Sequence, residues 1–380
     1  MIFLTISFVF PINVNQAESS EDSIAGWTVL GECPEIYYFI NRTFGWAVAQ
    51  DNPPRIFKTE NGGETWNVQE SPSSWGFAYL SDIYFWNASH GWITGANGIM
   101  GTLDGGETWF HLLKNPRVGN IVFVNSSHGW ALQKDGSSKI YHTTNGGLNW
   151  TDLPNPTTYQ LNDLTFVNDT LGWVVGDAGN ILFTTDGGLS WHHQRSNVTF
   201  DLTNIQFIDE DHGWVASNNH YPPAILKTID GESWTTKTFK GAPQYSSNGI
   251  DSMSFLNMTN GWATAQYSLW RTTDGGENWG EYLSRDDFNK AGLGYWGPSR
   301  IFFVDENVGW MWVGGKLLRT TRGGFQGESE TTSTESTTET TTTSGEASTT
   351  EPTIGMESIY SLGVLVIMAI GLTRKQRKKQ

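Results

Sequence analysis

Four aspartates stand at the same place in a repeated motif and form the most regular set of candidate acid-base groups in the chain. Each is followed by one or two glycines and then by a tryptophan, and the four are Asp104, Asp186, Asp230 and Asp274. Two carboxylates that hydrolyse a glycoside together must lie within about 10 Å of each other. Because each aspartate belongs to a separate repeat unit, we expect them to be held apart and to serve as turn residues.

Three histidines and one acidic pair are the other candidates for chemistry. His90, His128 and His212 each precede a Gly-Trp pair, and they would suit a metal site only if they were close together. They also belong to separate units, so we interpret them as turn residues and predict no metal and no cofactor. Asp286 and Asp287 are adjacent in a long loop, but adjacency along the chain does not make a catalytic pair.

Two tryptophan motifs repeat along the chain and indicate which elements position these residues. Gly-Trp pairs at the predicted start of a strand B recur seven times, and their tryptophans are Trp46, Trp92, Trp130, Trp173, Trp214, Trp262 and Trp310. The second motif, Asp or Asn followed by Gly-Gly in most copies, ends in Trp66, Trp109, Trp150, Trp191, Trp234 and Trp279. Repeat units of about 40 to 50 residues are typical of propeller blades.

Each repeat unit has the pattern of four strands. An alternating stretch such as NIVFV predicts strand A, Gly-Trp opens strand B, a stretch such as NILFT predicts strand C, and the second tryptophan opens strand D. Asp-Gly or Asn-Gly between strands C and D is a strong hairpin signal, because both residues tolerate a positive φ. The sequence therefore predicts an all-β fold, a seven-bladed β-propeller of four-stranded antiparallel blades.

The two ends of the repeat region predict how the ring closes. Gly327 stands where the seventh unit should have its second tryptophan, so the last blade lacks a strand D of its own. Trp27 lies in a short D-like stretch near the N-terminus, and a closed ring must not leave an open sheet edge. We therefore expect residues 26–30 to complete the blade that begins at Arg300.

The second motif resembles the Asp-box of sialidases, sortilin-type receptors and several glycan hydrolases. Its combination with the upstream stretch Gly172 to Thr185 is similar to the repeat of the photosystem II stability and assembly factor family of seven-bladed propellers. This resemblance covers residues 25–327 and implies the same fold, while the matching residues are structural. We expect the repeated tryptophans to pack between neighbouring blades, and these are Trp27, Trp66, Trp109, Trp150, Trp191, Trp234 and Trp279.

The composition of the two ends predicts export and a membrane anchor. Residues 1–17 are interpreted as a signal peptide, 18–327 as the propeller and 328–353 as a disordered stalk rich in Thr, Ser and Glu. Residues 354–373 are predicted to be one transmembrane helix, and 374–380 a basic cytoplasmic tail. This arrangement predicts a single-pass membrane protein with its propeller outside the cell. A stalk and an anchor depart from the photosystem II factors and are similar to those of archaeal cell-surface proteins.

Charge and cysteine content exclude two classes of protein. The 380 residues include 39 acidic and 23 basic side chains, a formal net charge of −16, which would repel a phosphate backbone. Nucleic acid is therefore not an expected partner. Cys33 is the only cysteine, so neither an intrachain disulfide framework nor a multi-cysteine zinc site stabilises the fold.

Five Asn-x-Ser/Thr sequences fall in the predicted turn between strands A and B. They begin at Asn41, Asn87, Asn125, Asn168 and Asn257, while two further copies at Asn149 and Asn197 lie elsewhere. In an exported chain they predict glycan acceptors, but Asn, Ser and Thr are also ordinary turn residues, and the sequence alone favours neither interpretation. Because the A–B and C–D turns of a blade share one end, the B–C and D–A loops should occupy the other.

The loops at that other end are variable and carry the residues that we expect to bind a partner. They are Trp75, Phe77, Tyr79, Tyr221, Tyr245, Asp286, Asp287, Tyr295 and Trp296. Aromatic rings among acids suit stacking on sugars or contact with a peptide, although long loops could equally plug the central channel. The sequence favours a non-catalytic scaffold that binds a protein or glycan at the propeller mouth. The alternative is an extracellular sialidase-like or other glycan hydrolase.

Overall fold

The computed structural model describes residues 23–51, 53–70, 79–136, 138–239, 249–295 and 297–323. Within these ranges the chain forms seven antiparallel sheets, one for each repeat unit, and each sheet follows the strand order A–B–C–D. The A strands of consecutive units lie beside one another, which places them at the inner edge of a ring around a central channel. The prediction of an all-β propeller of seven four-stranded antiparallel blades is confirmed.

The strands follow the chain blade by blade. Blade 1 holds β3 (Ile36–Phe39), β4 (Gly45–Ala49), β5 (Arg55–Thr59) and β6 (Asn67–Gln69). Blade 2 holds β7 (Leu80–Phe85), β8 (Gly91–Gly95), β9 (Gly98–Thr102) and β10 (Phe110–Lys114). Blade 3 holds β11 (Val118–Phe123), β12 (Gly129–Gln133), β13 (Ile140–Thr143) and β14 (Thr151–Leu153). Blade 4 holds β15 (Leu161–Phe166), β16 (Gly172–Gly176), β17 (Ile181–Thr184) and β18 (His192–Gln194).

The last three blades continue this order. Blade 5 holds β19 (Asn204–Phe207), β20 (Gly213–Ala216), β21 (Ala224–Thr228) and β22 (Thr235–Thr238). Blade 6 holds β23 (Ile250–Phe255), β24 (Gly261–Ala265), β25 (Ser268–Thr272) and β26 (Gly280–Leu283). Blade 7 holds β27 (Pro298–Phe303), β28 (Gly309–Val313) and β29 (Lys316–Thr320), to which the N-terminal β1 (Ser23–Ile24) and β2 (Trp27–Glu32) are added.

The N-terminal segment closes the ring as expected. Strand β2 pairs with β29 in antiparallel register, with Val29 opposite Leu318, and so supplies strand D of blade 7. The structure adds a feature that the sequence did not predict. Strand β1 folds back on β2 as a two-residue fifth strand, with Ile24 opposite Trp27, so this blade alone has five strands among the described residues.

The Gly-Trp pair explains how neighbouring blades fit together. Trp130 of blade 3 is fully buried and stacks on Phe166 of blade 4, with ring centroids 3.7 Å apart. The same stack joins Trp46 to Phe85, Trp92 to Phe123, Trp173 to Phe207, Trp214 to Phe255 and Trp310 to Phe39. The glycine is needed because the phenylalanine of the same blade covers it: a Cβ on Gly129 would lie 2.5 Å from Cε1 of Phe123.

The second set of tryptophans also reaches these interfaces, but in a different role. Trp191 meets the edge of Phe166, the ring on which Trp130 stacks, at a centroid distance of 6.1 Å and an interplanar angle of 79°. Trp27 meets Phe303 in the same way, at 5.8 Å and 80°. Both sets of tryptophans therefore meet at the interfaces between blades: the Gly-Trp tryptophan stacks across the interface, and the second tryptophan meets the edge of the same phenylalanine ring.

Within the described ranges, two short helical segments interrupt the loops. A 3-10 helix spans Asp177–Gly179, and the α-helix α1 spans Arg285–Lys290 between β26 and β27. Neither is long and apolar enough to cross a membrane, and the same holds for every helix in the described part of the chain. The segments predicted as signal peptide, stalk, transmembrane helix and cytoplasmic tail lie outside the described residues.

Candidate binding surface

The A–B and C–D turns of each blade are joined by a backbone hydrogen bond, which fixes the two ends of the propeller. In blade 2 the N–H of Gly105 donates to the carbonyl of Ser89 at 2.8 Å. The same bond links Gly62 to Thr43, Gly146 to Ser127, Gly187 to Thr170, Gly231 to Asp211, Gly275 to Thr259 and Gly323 to Asn307. These turns therefore share one end, here named the turn end. The B–C and D–A loops lie at the opposite end, here named the loop end.

The aspartates of the second motif are committed to their own turns. Oδ1 of Asp186 accepts hydrogen bonds from Oγ1 of Thr184 and N of Ser190, both at 2.8 Å, and Oδ2 accepts from Oγ of Ser190 at 2.6 Å. Hydrogen bonds from Ser190 hold the pKa of Asp186 below its ordinary value. Backbone N–H groups of Ser233 and Glu232 lower the pKa of Asp230 to about 2. These carboxylates stabilise turns, as the sequence indicated.

The histidines that precede the Gly-Trp pairs also contact residues of their own turns. The ring Nδ1 of His90 lies 3.2 Å from Oδ1 of Asn87, and that of His212 lies 2.9 Å from Oδ1 of Asp209. Each pair belongs to the A–B turn of one blade. Across the described residues, no group of three or more His, Cys, Asp or Glu side chains is arranged to hold a metal ion.

Three of the aromatic residues predicted to bind a partner are exposed at the loop end. Tyr79 is 70% exposed and precedes strand β7, Tyr221 is 38% exposed in the B–C loop of blade 5, and Tyr295 is 60% exposed in the loop before β27. They lie in different blades, and no ring contact joins one to another within the described chain. The other four predicted aromatics, Trp75, Phe77, Tyr245 and Trp296, lie outside the described residues.

The acidic pair of the loop end lies on helix α1 and does not form a catalytic pair. Oδ2 of Asp287 accepts hydrogen bonds from N of Ser284 at 2.9 Å and from its Oγ at 2.6 Å, which completes a capping box. These bonds lower the pKa of Asp287. Asp286 is the next residue back on the same helical turn, so the two side chains project in different directions.

Charged residues of the central channel form a cluster that the sequence analysis did not identify. Oδ1 of Asp82 in blade 2 lies 3.8 Å from a guanidinium nitrogen of Arg300 in blade 7, so this contact crosses the channel past blade 1. Glu35, before β3, accepts a hydrogen bond from Oγ of Ser299 at 2.7 Å. The signal was a charged residue three positions before the last phenylalanine of an apolar strand A, as in LSDIYF and PSRIFF.

One channel aspartate connects three consecutive blades. Oδ1 of Asp163 accepts hydrogen bonds from N of Leu164 and Nδ2 of Asn120, both at 2.9 Å, and Oδ2 accepts from N of Ile205 at 2.8 Å. The last of these satisfies an N–H at the inner edge of blade 5, where no further strand is present to pair with it. Asp163 therefore links blades 3, 4 and 5 by hydrogen bonds.

Burial in the channel shifts the acids of this cluster toward the protonated form. It raises the pKa of Asp163 to about 7 against the opposing charge of Lys134. It raises the pKa of Asp251 to about 6, and the nearby Glu35 adds to this shift by repulsion. Burial also raises the pKa of Asp82, which the guanidinium of Arg300 partly offsets. The channel thus holds acids whose charge changes near neutral pH.

Seven four-stranded blades around a polar channel define the chain as a seven-bladed β-propeller. No protein family matches its sequence, and no curated protein matches it. Among solved structures, it is similar to YCF48 bound to D1 peptide, with a TM-score of 0.60 at 19% identity over 78% of this chain and 97% of that one.

Two further structures have nearly the same similarity. YCF48 from Cyanidioschyzon merolae has a TM-score of 0.58 at 17% identity, covering 78% of this chain and 98% of that one. A catalytically inactive virginiamycin B lyase from Staphylococcus aureus, with quinupristin, has a TM-score of 0.59 at 15% identity, covering 78% and 99%. Because a binding protein and an enzyme are equally similar at such low identity, these comparisons establish the fold alone.

Proposed function

We propose that the chain is a non-catalytic scaffold, displayed at the cell surface, that binds a protein partner at the loop end of its propeller. The observation that carries this proposal is the exposure of Tyr79, Tyr221 and Tyr295 at that end. Tyrosine offers a large apolar face and a hydroxyl, a combination that is enriched at protein interfaces. The structure of YCF48 with D1 peptide supports a peptide as the class of partner.

The state of the acids supports a role without catalysis. Asp186 and Asp230 accept hydrogen bonds within their own turns, and Asp287 caps a helix. Asp163 accepts a hydrogen bond from the backbone N–H of Ile205 in the next blade. A general acid or base must reach the proton that it transfers, and these oxygens already accept hydrogen bonds from the protein itself. The net charge of −16 favours a partner segment that is basic.

The location of the scaffold follows from the segments at the two ends of the chain. We propose that residues 1–17 direct export and that residues 354–373 anchor the protein in the membrane, with 328–353 as a spacer. Under this proposal the loop end is available to partners outside the cell.

A quantitative binding experiment tests the proposed surface. A fragment of residues 18–327 contains the closed propeller, and surface proteins and glycans that it retains can be titrated against variants. Replacing Tyr79, Tyr221 and Tyr295 together with alanine should weaken binding of a retained partner at least ~30-fold, since even one anchor residue contributes about 2 kcal/mol or more. The melting temperature should stay within about 2 °C, because exposed residues contribute little to stability.

A matched control uses apolar residues with similar exposure at the turn end. Leu103, Leu148 and Leu189 are 57%, 62% and 68% exposed, and all three lie in C–D turns. Replacing them with alanine should leave the affinity unchanged. If the leucine variant loses binding and the tyrosine variant keeps it, the partner binds the turn end and the proposal is wrong.

A glycan hydrolase remains the second candidate, and one observation favours it. Burial raises the pKa of Asp251 to about 6, a range in which a carboxyl can act as a general acid, and the neighbouring Glu35 supplies a second carboxylate in the channel. Incubating the same fragment with the glycans that it retains distinguishes the two functions. Release of shorter sugars by the native fragment, and its loss in Asp251→Asn with folding retained, would favour the hydrolase.

A further inference from the structure

The seven A–B turns at the turn end share one hydrogen-bonding pattern. In blade 2, Oδ1 of Asn87 accepts hydrogen bonds from the backbone N–H groups of Ser89 and His90, both at 2.8 Å. Such an Asx turn closes the loop without help from a neighbouring strand. The equivalent acceptors in the other blades are Asn41, Asn125, Asn168, Asp209, Asn257 and Asp305.

Aspartate serves this turn as well as asparagine does. Oδ1 of Asp209 accepts from N of Asp211 at 2.9 Å and from N of His212 at 2.7 Å. Oδ1 of Asp305 accepts from N of Asn307 at 2.9 Å and from N of Val308 at 3.0 Å. The fold therefore needs an acceptor oxygen at this position, and the amide nitrogen of asparagine contributes nothing to the turn.

The residue two positions after the acceptor differs between the two kinds of turn. All five turns with asparagine carry a hydroxyl there, and the hydroxyl residues are Thr43, Ser89, Ser127, Thr170 and Thr259. Both turns with aspartate lack it and have Asp211 and Asn307 instead. The turn geometry does not explain this pairing, since an aspartate oxygen accepts from a hydroxyl as readily as an asparagine oxygen does. The pairing matches the acceptor sequence for N-linked glycans.

We propose that the Asx-turn asparagines of five blades, Asn41, Asn87, Asn125, Asn168 and Asn257, are N-glycosylated. In each turn Oδ1 is occupied by backbone N–H groups, and no hydrogen bond of Nδ2 occurs among the described contacts of these residues. Asn41, Asn87 and Asn168 are exposed, and the other two are half-buried. The proposal depends on export of the chain and is independent of what the loop end binds.

The modification transfers an oligosaccharide from a lipid carrier to Nδ2 of the asparagine. The nitrogen Nδ2 attacks the anomeric carbon of the sugar, and the bond from that carbon to the phosphate oxygen of the lipid carrier breaks. The lipid phosphate leaves with the electron pair, and Nδ2 loses one proton to the transferase. No oxidant or reductant is required, and the product is an amide N-linked to the sugar.

The turn end has a feature that such glycans would protect. Four apolar side chains are exposed in the C–D turns of consecutive blades, and they are Leu103, Leu148, Leu189 and Ile229, with exposures of 57%, 62%, 68% and 67%. All four lie at the turn end, where they expose apolar surface to water. Sugars on Asn87, Asn125 and Asn168 would lie beside the first three of these residues, since the A–B and C–D turns of each blade are hydrogen-bonded to each other.

Site-by-site mass spectrometry of the full chain purified from its native cells tests the proposal. Peptides that contain the five asparagines should carry hexose-containing adducts in more than half of the copies. Asn149 is a useful comparison, because it is exposed at the same end but lies in a C–D turn, and its hydroxyl partner Thr151 is paired in β14 with His142. We expect its occupancy to be at least tenfold lower.

Matched variants separate the glycan from the turn. Asn87→Asp keeps the acceptor oxygen, as Asp209 does in blade 5, and Ser89→Ala keeps the asparagine but removes the hydroxyl. Each should lose the adduct at position 87 while the melting temperature of the deglycosylated protein stays unchanged. Bare asparagines at all five positions in the native protein would overturn the proposal, and equal occupancy at Asn149 would overturn the role given to the Asx turn.

Discussion

At the scale of single residues, Trp130 of the Gly-Trp pair in blade 3 has two roles at the interface with blade 4. The ring of Trp130 stacks on Phe166, and its Nε1 donates a hydrogen bond of 2.9 Å to the carbonyl of Gly187 in the C–D turn of the next blade. Trp191 at the same interface contributes ring contacts only, since its buried Nε1 has no partner among the described residues.

The two tryptophans should therefore differ in their effect on stability. Trp130→Ala should lower the free energy of unfolding by about 3 to 5 kcal/mol through the lost packing, with about 1 kcal/mol more for the unsatisfied carbonyl of Gly187. Trp191→Ala should cost less by about that last amount. Leu189→Ala, 68% exposed, should stay within about 0.5 kcal/mol of the native value. Urea titrations give all three values, and a greater loss for Trp191→Ala would contradict the assigned roles.

These residues also show what the sequence could and could not predict. The spacing of Gly-Trp and the hairpin signals predicted the blades, because each signal acts within a few neighbouring residues. The stack of Trp130 on Phe166 was not predicted, since both tryptophan motifs repeat with the same period. The contact between Asp82 and Arg300 was not predicted either, because residues in blades 2 and 7 meet only after the ring has closed.

At the scale of elements, strand β2 is the segment on which closure of the ring depends. It completes blade 7 by pairing with β29, and it places Trp27, fully buried, against Trp262 and Phe303. The sequence did not predict its two-residue neighbour β1 or the helix α1, because segments this short show no measurable periodicity. The Ser284-x-x-Asp287 capping signature was the available signal for α1.

Removing β2 should open the ring. A fragment that lacks residues 18–31 exposes the edge of β29 and loses the packing of Trp27, so it should melt at least ~10 °C below the fragment 18–327 or aggregate. A fragment that lacks only residues 18–24 removes β1 and retains β2, and it should melt within about 3 °C of the parent. Differential scanning calorimetry of the three fragments makes the comparison. Equal melting temperatures for the two deletions would show that β2 does not close the ring.

At the scale of the whole molecule, the channel couples the charge state of one residue to several blades. Asp163 belongs to blade 4, yet it accepts hydrogen bonds from Asn120 of blade 3 and Ile205 of blade 5. The charges of Lys134 in blade 3 and Asp82 in blade 2 also act on its pKa, the first lowering it and the second raising it. The protonation of Asp163 should therefore affect the stability of the whole closed ring.

The raised pKa of Asp163 predicts how stability should depend on pH. Between the ordinary value of 3.8 and the folded value of about 7, the folded chain binds more protons at this residue than the unfolded chain does. Stability should accordingly fall as the pH rises from 4 to 7, by at most about 1.4 kcal/mol per pH unit from this group. Asp163→Asn should be less stable overall, because its Nδ2 cannot accept the N–H of Ile205, but that component of the slope should disappear. Urea titrations of both proteins at pH 5, 6 and 7 measure it, and identical slopes would show that Asp163 stays ionised in the folded ring.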